Sequence, residues 1–263
     1  DPGTTVTIYD GVKVLGTTTA AIPGGGWSFT PTTPLDEGQH TITATATDAA
    51  GNEGLASLPF NFTVDTQAPA PVANLVVTDN VLGGIVGSLT AGGLTNDDTL
   101  VLSGTAENGT RVNIYNGTTL LGTVDASDLN GSWSFPTASL PDGTYNFITT
   151  VVDKAGNVSG PSASFTITVD TEIPVKPGAI TATDDEPLYE GTITNGLTND
   201  RTPTLSGVVE ANALVTIYRN GVSVGTTNAN GSGQWSYTSP SLADDTYTFR
   251  ITATDAAGNV SPN

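Results

Sequence analysis

The feature that most constrains this chain is a short sequence that occurs twice at a long, fixed interval. It reads V-D-T-Q-A-P at residues 64–69 and V-D-T-E-I-P at residues 169–174, 105 positions later. Before the second copy, apolar residues alternate with threonines over residues 165–169, a pattern typical of a strand, and the proline that follows stops a helix and stiffens the exit. We interpret each copy as a linker between repeated units, where oxygen-rich side chains could bind a cation shared by both neighbours.

Three further motifs recur with nearly the same period, so the whole chain is repetitive. A period of about a hundred residues is the size of one β-sandwich domain. The recurring pieces are an Ile-Tyr pair, a tryptophan, and an aspartate that opens a D-x-A-G-N loop: Ile8, Ile114 and Ile217; Trp27, Trp133 and Trp235; Asp48, Asp153 and Asp255.

The repeats predict one complete domain between two incomplete ones. Residues 1–65 form a partial domain without its first strands, residues 66–170 a complete domain, and residues 171–263 a domain without its last strand. The complete copy predicts seven strands, which fits an antiparallel sandwich: residues 73–78, 99–105, 111–115, 120–125, 132–137, 144–152 and 163–169. Asn116-Gly117 and Asn220-Gly221 are the dipeptides that tight hairpins favour.

Composition agrees with an all-β protein: 31 Gly, 16 Pro and many Thr and Val, with no long helical pattern. The net charge of −19 disfavours nucleic acid and anionic lipid as partners and suits divalent cations, although an acidic surface that only keeps the protein soluble stays an alternative. No cysteine is present, which excludes disulfides and thiol chemistry. No signal peptide or transmembrane run is visible, and the chain reads as a piece of something longer.

Tyr145 and Tyr247 open the sixth strand of their copies and resemble the tyrosine corner of immunoglobulin-type sandwiches. His40, the only histidine, takes that position in the first copy, so we assign it to the corner and not to catalysis. The repeated tryptophans have core spacing, each followed two residues later by another aromatic ring, and we assign them to the core rather than to sugar stacking.

Taken together, the motifs V-D-T-x-x-P, T-N-D, L-S-G, I-Y, G-x-W-S and D-x-A-G-N resemble the bacterial immunoglobulin-like repeats of giant type I-secreted, non-fimbrial adhesins of the SiiE type. The resemblance covers the whole chain. It implies tandem immunoglobulin-like sandwiches arranged end to end as a rod, secreted to the bacterial cell surface. Such a calcium-stiffened stalk holds a distal binding region away from the bacterium and serves attachment in virulence.

Strand order places several carboxylates at one pole of each repeat, because an antiparallel chain reverses pole at every strand. Calcium prefers six to eight oxygen ligands of this type, and it would remove the repulsion between the carboxylates. Turn-capping aspartates remain the alternative. The predicted Ca²⁺ ligands are Asp170, Glu172, Glu210 and Asp255 at the second linker, and Asp65, Glu107 and Asp153 at the first, where Gln67 replaces Glu172.

The opposite pole holds a second candidate cluster after the first strand and before the second. Asn and Asp clusters are also common in plain turns, so a purely structural role stays open here. The candidate metal ligands are Asp79 and Asp97 in the second copy, and Asp184, Asp185 and Asp200 in the third.

The sequence shows no set of residues arranged for catalysis. Its paired carboxylates lie on turns without an evident cleft, and only one of the three repeats contains a histidine. We therefore expect no enzyme but a monomeric, calcium-rigidified spacer of a secreted surface adhesin. Its partners are the neighbouring repeats and, through the full-length protein, a glycan or protein of the host cell surface. The alternatives are a module that makes the adhesive contact itself, favoured by an exposed aromatic patch unique to one repeat, and an accessory module of a secreted hydrolase.

Overall fold

The structure, a computed structural model, describes residues 1–82, 86–187 and 190–263. These residues contain β-strands numbered β1 to β20 and no α-helix. They divide into two compact units, one with residues 1–69 and 152–159 and the other with residues 70–151 and 160–263. The prediction of an all-β fold built mainly of antiparallel strand pairs is confirmed.

The first unit is built on one antiparallel sheet with the strand order β2-β1-β3-β4. Its strands are β1 (Thr5–Asp10), β2 (Lys13–Thr19), β3 (Gly38–Thr47) and β4 (Phe60–Val64). In β1, Val6 and Ile8 alternate with threonines and are buried on one face, where Leu15, Phe29 and Ile42 pack against them. Within the described part of residues 1–69, no second sheet covers this face.

The second unit begins with a sandwich whose two sheets have the orders β10-β9-β12-β13-β7 and β11-β8-β5-β6. Its core includes Leu102, Ile114, Phe147 and Ile167, all fully buried. Its strands are β5 (Val76–Asp79), β6 (Gly87–Ser88), β7 (Gly93–Thr95), β8 (Val101–Thr105), β9 (Arg111–Asn116), β10 (Thr119–Asp125), β11 (Ser132–Pro136), β12 (Gly143–Val152) and β13 (Phe165–Val169).

The third repeat follows in the same unit, with sheets of order β15-β14-β16-β19 and β18-β17-β20. Leu205, Val215, Ile217 and Trp235 form its core. Its strands are β14 (Thr181–Asp184), β15 (Gly191–Thr192), β16 (Thr204–Val208), β17 (Leu214–Arg219), β18 (Val222–Asn228), β19 (Gln234–Thr238) and β20 (Phe249–Thr254).

The structure has a strand at each of the seven positions predicted for the complete copy, and it adds the short strands β6 and β7. Strand β7 pairs in parallel with β13, with Thr95 opposite Val169. The sequence did not predict β7 because three residues are too few to show a period. This pairing fixes the end of β13, from which the second linker leaves.

Close approach of aromatic rings explains the glycines of the repeated motifs. A Cβ atom on Gly104 would lie 3.0 Å from the ring of Trp133, and one on Gly207 would lie 3.1 Å from that of Trp235. Both tryptophans are buried, as predicted. The core prediction is wrong for Trp27, which is 49% exposed because no second sheet covers its side of the first unit.

The tyrosine corners are present as predicted. The hydroxyl of Tyr145 donates to the carbonyl of Pro141 at 2.6 Å, and that of Tyr247 donates to the carbonyl of Ala243 at 3.1 Å. His40 holds the same place in the first unit, with Nε2 2.8 Å from the carbonyl oxygen of Asp36. Its position is therefore that of a corner residue.

Candidate metal centre at the linker

The second linker begins where β13 ends, and its first residue is already fixed by hydrogen bonds. The backbone N–H of Asp170 donates to the carbonyl of Thr95 at 2.9 Å. The carboxylate of Asp170 turns back on its own backbone, with Oδ1 accepting from the N–H of Glu172 at 3.2 Å. This turn directs the linker away from the strand and leaves Glu172 exposed.

The D-x-A-G-N loop of the third repeat holds Asp255 by several donors. Its Oδ1 accepts from the N–H groups of Gly258 at 2.8 Å and Asn259 at 2.9 Å, and its Oδ2 accepts from Nδ2 of Asn259 at 2.9 Å. The loop therefore holds the Asp255 carboxylate in one orientation.

The equivalent loops of the other repeats have the same arrangement. The pKa of Asp153 lies below its ordinary value, chiefly because the Asn157 side chain donates to the carboxylate, and backbone N–H groups act in the same direction. The Asn52 side chain likewise lowers the pKa of Asp48. In these two loops the donors therefore stabilise the charged form of the aspartate.

The four carboxylates predicted at the second linker line one cavity. Asp170 and Glu172 come from the linker, Glu210 follows β16, and Asp255 follows β20. The cavity has a volume of about 130 Å³, and two exposed apolar side chains, Ile173 and Val175, complete its wall. Three separate segments therefore converge at this pole, as the strand order predicts for an antiparallel sandwich.

The carboxylates line the cavity without forming a closed cluster. Among the residues that the structure describes, no group of three or more His, Cys, Asp or Glu side chains is arranged so that it could hold a metal ion. Asp170 and Asp255 are half-buried and hydrogen-bonded, whereas Glu172 and Glu210 are exposed. The donor set of hard carboxylate oxygens fits Ca²⁺, and the two glutamates are the ligands that would have to move toward it.

At the first linker, the structure brings together Asp65 and Asp153. Oδ1 of Asp65 accepts from the N–H of Gln67 at 3.0 Å, and Nδ2 of Asn157 donates both to the carbonyl of Asp65 at 3.0 Å and to Oδ2 of Asp153 at 2.8 Å. Glu107 belongs to the other compact unit, where it is exposed after β8.

At the opposite pole of the second repeat, Asp79 and Asp97 are fully buried turn residues. Oδ1 of Asp79 accepts from the N–H of Val81 at 2.8 Å, and its Oδ2 accepts a short hydrogen bond from the hydroxyl of Thr95. Asp97 accepts from the N–H of Thr99 at 2.8 Å and from that of Asn80 at 3.0 Å. These contacts are those of the structural alternative, in which the aspartates cap turns.

The third repeat has a similar arrangement. Asp184 and Asp200 are buried, and the hydroxyl of Thr198 links them by donating to Oδ2 of Asp184 at 2.5 Å and accepting from the N–H of Asp200 at 2.9 Å. Oδ1 of Asp200 accepts from the N–H of Thr202 at 2.6 Å, and Asp185 is exposed. The turn contacts account for the burial of Asp184, whereas Oδ2 of Asp200 is buried with no hydrogen-bond partner among the described residues.

Sequence reasoning missed the residues that fasten the linkers. These are Asn157 and Asn259 of the D-x-A-G-N loops, Thr66 and Thr171 of the V-D-T motif, and Glu37 and Asp142. The recurrence of the asparagine and of the threonine was visible in the motifs, but their partners lie up to 92 residues apart in sequence. Only the folded chain shows which carbonyl or carboxylate each of them meets.

Repeated sandwiches joined by short acidic linkers define a class of tandem all-β proteins. The family model of the bacterial Ig-like domain matches residues 1–66, 73–171 and 181–263. The chain therefore belongs to the bacterial Ig-like domain family. No curated protein matches it significantly.

The solved structures that are similar to the chain include the following two. One is a Ca²⁺-stabilized adhesin of an Antarctic bacterium that binds ice, with a TM-score of 0.43 and 25% identity over 99% of this chain and 63% of the adhesin chain. The other comprises fibronectin(III)-like modules of Clostridium thermocellum CbhA, with a TM-score of 0.37 and 17% identity over 64% of this chain and 79% of that chain. This chain thus spans less than two thirds of the adhesin structure.

Proposed function

We propose that this chain is a calcium-rigidified spacer segment of a large, repetitive, secreted bacterial surface adhesin. The observation that carries the proposal is the convergence of Asp170, Glu172, Glu210 and Asp255 on one cavity at the second linker. Two of the four belong to the linker itself. A cation bound there would join the linker to the loops of the repeat that follows.

The physical reason is electrostatic. Four carboxylates around one small cavity repel each other, and the repulsion is relieved either by a cation or by opening of the cavity. Calcium suits such a site because it accepts an irregular set of oxygen ligands, whereas Mg²⁺ requires near-octahedral geometry. Without the ion the linker bends more freely, and with it one orientation is favoured.

The similarity of the repeats supports a spacer over a module that makes the adhesive contact itself. Trp27 is exposed in the first unit only, which is the kind of patch that would favour a contact module. Its exposure has a simpler cause, however. Trp133 and Trp235 are each covered by a second sheet, whereas residues 1–69, all of which the structure describes, form one sheet. The exposure of Trp27 therefore does not by itself favour a contact module.

The remaining parts of the proposal follow from the resemblance of the sequence motifs to those of bacterial adhesin repeats. The chain would act outside the bacterial cell, without enzymatic activity, and attachment to a host glycan or protein would belong to the full-length protein. In the described residues, no helix combines the length and the apolar character that a membrane-crossing helix needs.

Small-angle scattering of the whole chain in calcium and in a chelator tests the proposal. We expect a longer maximum dimension in about 1 mM calcium, the affinity range of extracellular calcium modules, and a shorter, broader distribution in chelator. Glu210→Gln and Asp255→Asn should weaken this response. Asp125→Asn, which removes an exposed carboxylate on β10, is the matched control.

An identical scattering profile with and without calcium, together with no calorimetric binding at about 1 mM, would contradict the proposal. Equal responses of Asp255→Asn and Asp125→Asn would also contradict it, because the effect would then come from overall charge screening and not from the cavity.

A further inference from the structure

At the second linker, one peptide group is bonded to both repeats. The carbonyl oxygen of Asp170 accepts a hydrogen bond from Nδ2 of Asn259, in the third repeat, at 2.7 Å. The N–H of the next residue, Thr171, donates to Oδ1 of Asp142, in the second repeat, at 2.9 Å. The hydroxyl of Thr171 donates to the same oxygen at 2.8 Å. The two ends of the Asp170–Thr171 peptide group therefore point to different repeats.

The first linker repeats this arrangement within the first unit. Nδ2 of Asn157 donates to the carbonyl of Asp65 at 3.0 Å, and the N–H of Thr66 donates to the Glu37 carboxylate at 3.1 Å. The acidic partner is a glutamate here and an aspartate at the second linker, so a different side chain reaches the same N–H. Two linkers with different sequences thus satisfy the same pair of backbone groups in the same way.

Planarity makes this arrangement mechanically significant. A peptide group does not twist readily about its C–N bond, so hydrogen bonds to its carbonyl and to its N–H together restrict the orientation of the whole group. The asparagine is well placed to act as the anchor, because Asn259 is buried and its Nδ2 also donates to Oδ2 of Asp255. Movement of one repeat against the other must break at least one of these bonds.

We propose that the Asp-Thr peptide group of each V-D-T linker is a metal-independent latch, which joins the second and third repeats at the second linker and joins the linker to a D-x-A-G-N loop at the first. Asn157 and Asn259 hold its carbonyl, and Glu37 and Asp142 hold its N–H. The latch rests on the proposed function in that both treat the linker as a mechanical joint. The latch holds the linker in one orientation before calcium binds. Calcium would reinforce that orientation, because Asn259 also holds Asp255 beside the cavity.

Amide hydrogen exchange of the whole chain in chelator tests the latch at each linker separately. Asn259→Ala should make the Thr171 amide exchange about fivefold faster, the change expected from the loss of one net hydrogen bond, and leave the Thr66 amide unchanged. Asn157→Ala should do the reverse. Each variant therefore carries its own internal control at the other linker.

Asn52→Ala is the matched control for the loop itself. Asn52 makes the same bonds to its own loop aspartate, with its N–H and Nδ2 donating to Asp48 at 2.9 and 2.8 Å. Its substitution should alter neither linker amide. Unchanged exchange at Thr171 in Asn259→Ala, or equal acceleration at both linkers, would overturn the latch, since the second result describes a general loss of stability.

A distance measurement separates the latch from the calcium proposal. The chain has no cysteine, so spin labels can be placed at Thr123→Cys and Thr226→Cys, exposed positions that follow equivalent glycines in β10 and β18. In chelator, Asn259→Ala and Asp142→Ala should both broaden the distance distribution, and Asp142→Asn should broaden it less because the amide oxygen still accepts.

If the distance distribution of the wild type in chelator is already as broad as that of Asn259→Ala, the latch is overturned. If calcium narrows no distribution while Asn259→Ala still broadens it, the calcium proposal fails and the latch stands.

Discussion

Nδ1 of His40 lies 2.6 Å from Oδ2 of Asp10, and this pair replaces a tyrosine and an asparagine of the second repeat. Tyr145 fills the corner position there, and Asn116 ends the strand equivalent to β1. Asp10 keeps the role of Asn116, since its Oδ1 accepts from the N–H of Thr41 at 3.0 Å. The exchange puts a titratable pair where the second repeat has a neutral one.

We expect the first unit to lose stability as the pH rises above about 6.5, the ordinary pKa of histidine. The hydrogen bond to Asp10 raises the pKa of His40, and the bond from His40 lowers the pKa of Asp10. The contribution of the His40–Asp10 pair to the free energy of unfolding is therefore complete between about pH 4 and pH 6.5, the ordinary pKa values of aspartate and histidine. It is lost as the pH rises through the raised His40 pKa, and also as the pH falls through the lowered Asp10 pKa.

Titration of the His40 ring by NMR, alongside exchange of the Thr41 amide, measures this effect. The other charged groups that affect the pair are Asp36, which faces His40, and Lys13, which faces Asp10. His40→Tyr restores the corner residue of the other repeats and should remove the loss of Thr41 amide protection that accompanies deprotonation of His40. A His40 pKa at or below its ordinary value would contradict the prediction.

Gly225→Ala should destabilise the third repeat by about 1–3 kcal/mol, the usual cost of overpacking a core. A Cβ atom on Gly225 would lie 2.6 Å from the ring of Tyr237, whose hydroxyl is fixed by a 2.8 Å bond to the carbonyl of Val224. Urea unfolding measures the change. Gly231→Ala, where an added Cβ meets no atom within 4 Å, is the control and should have a much smaller effect.

The three tryptophans should differ in their contribution to stability, although their sequence contexts are alike. Trp133→Ala and Trp235→Ala should each lower the free energy of unfolding by about 3–5 kcal/mol, because both rings are buried. Trp27→Ala should cost clearly less, since half of that side chain is already in contact with water. Equal losses in urea unfolding would show that the first unit buries Trp27 in solution.

Glu172→Gln should weaken calcium binding at the second linker about thirtyfold. The exposed carboxylate is one of four around the cavity. A unit charge about 4 Å from a doubly charged ion contributes about 2 kcal/mol in a largely aqueous surrounding. The variant gives the second linker the amide that Gln67 provides at the first. Isothermal titration calorimetry at low ionic strength measures the change, and an unaltered affinity would remove Glu172 from the ligand set.

Much of the fold was predictable because β-structure is encoded in local patterns. Alternating apolar residues predicted the seven main strands of the second repeat, and the dipeptide Asn116-Gly117 predicted its hairpin. Strand order also predicted that Asp170, Glu210 and Asp255 approach one another, since an antiparallel chain reverses direction at every strand. None of these inferences needs a distance between side chains.

The sequence by itself determined the all-β class, the period of the repeats and the pole at which the acidic linkers lie, because each depends on order and periodicity along the chain. Only the tertiary structure decided that Asp79, Asp97, Asp184 and Asp200 are buried in hydrogen-bonded turns, and that Trp27 is exposed while its counterparts are covered. It alone decided that Asn259 meets the carbonyl of Asp170. Burial and hydrogen-bond pairing depend on what a second segment brings to the same place, and partners that lie 89 residues apart carry no local signal of each other.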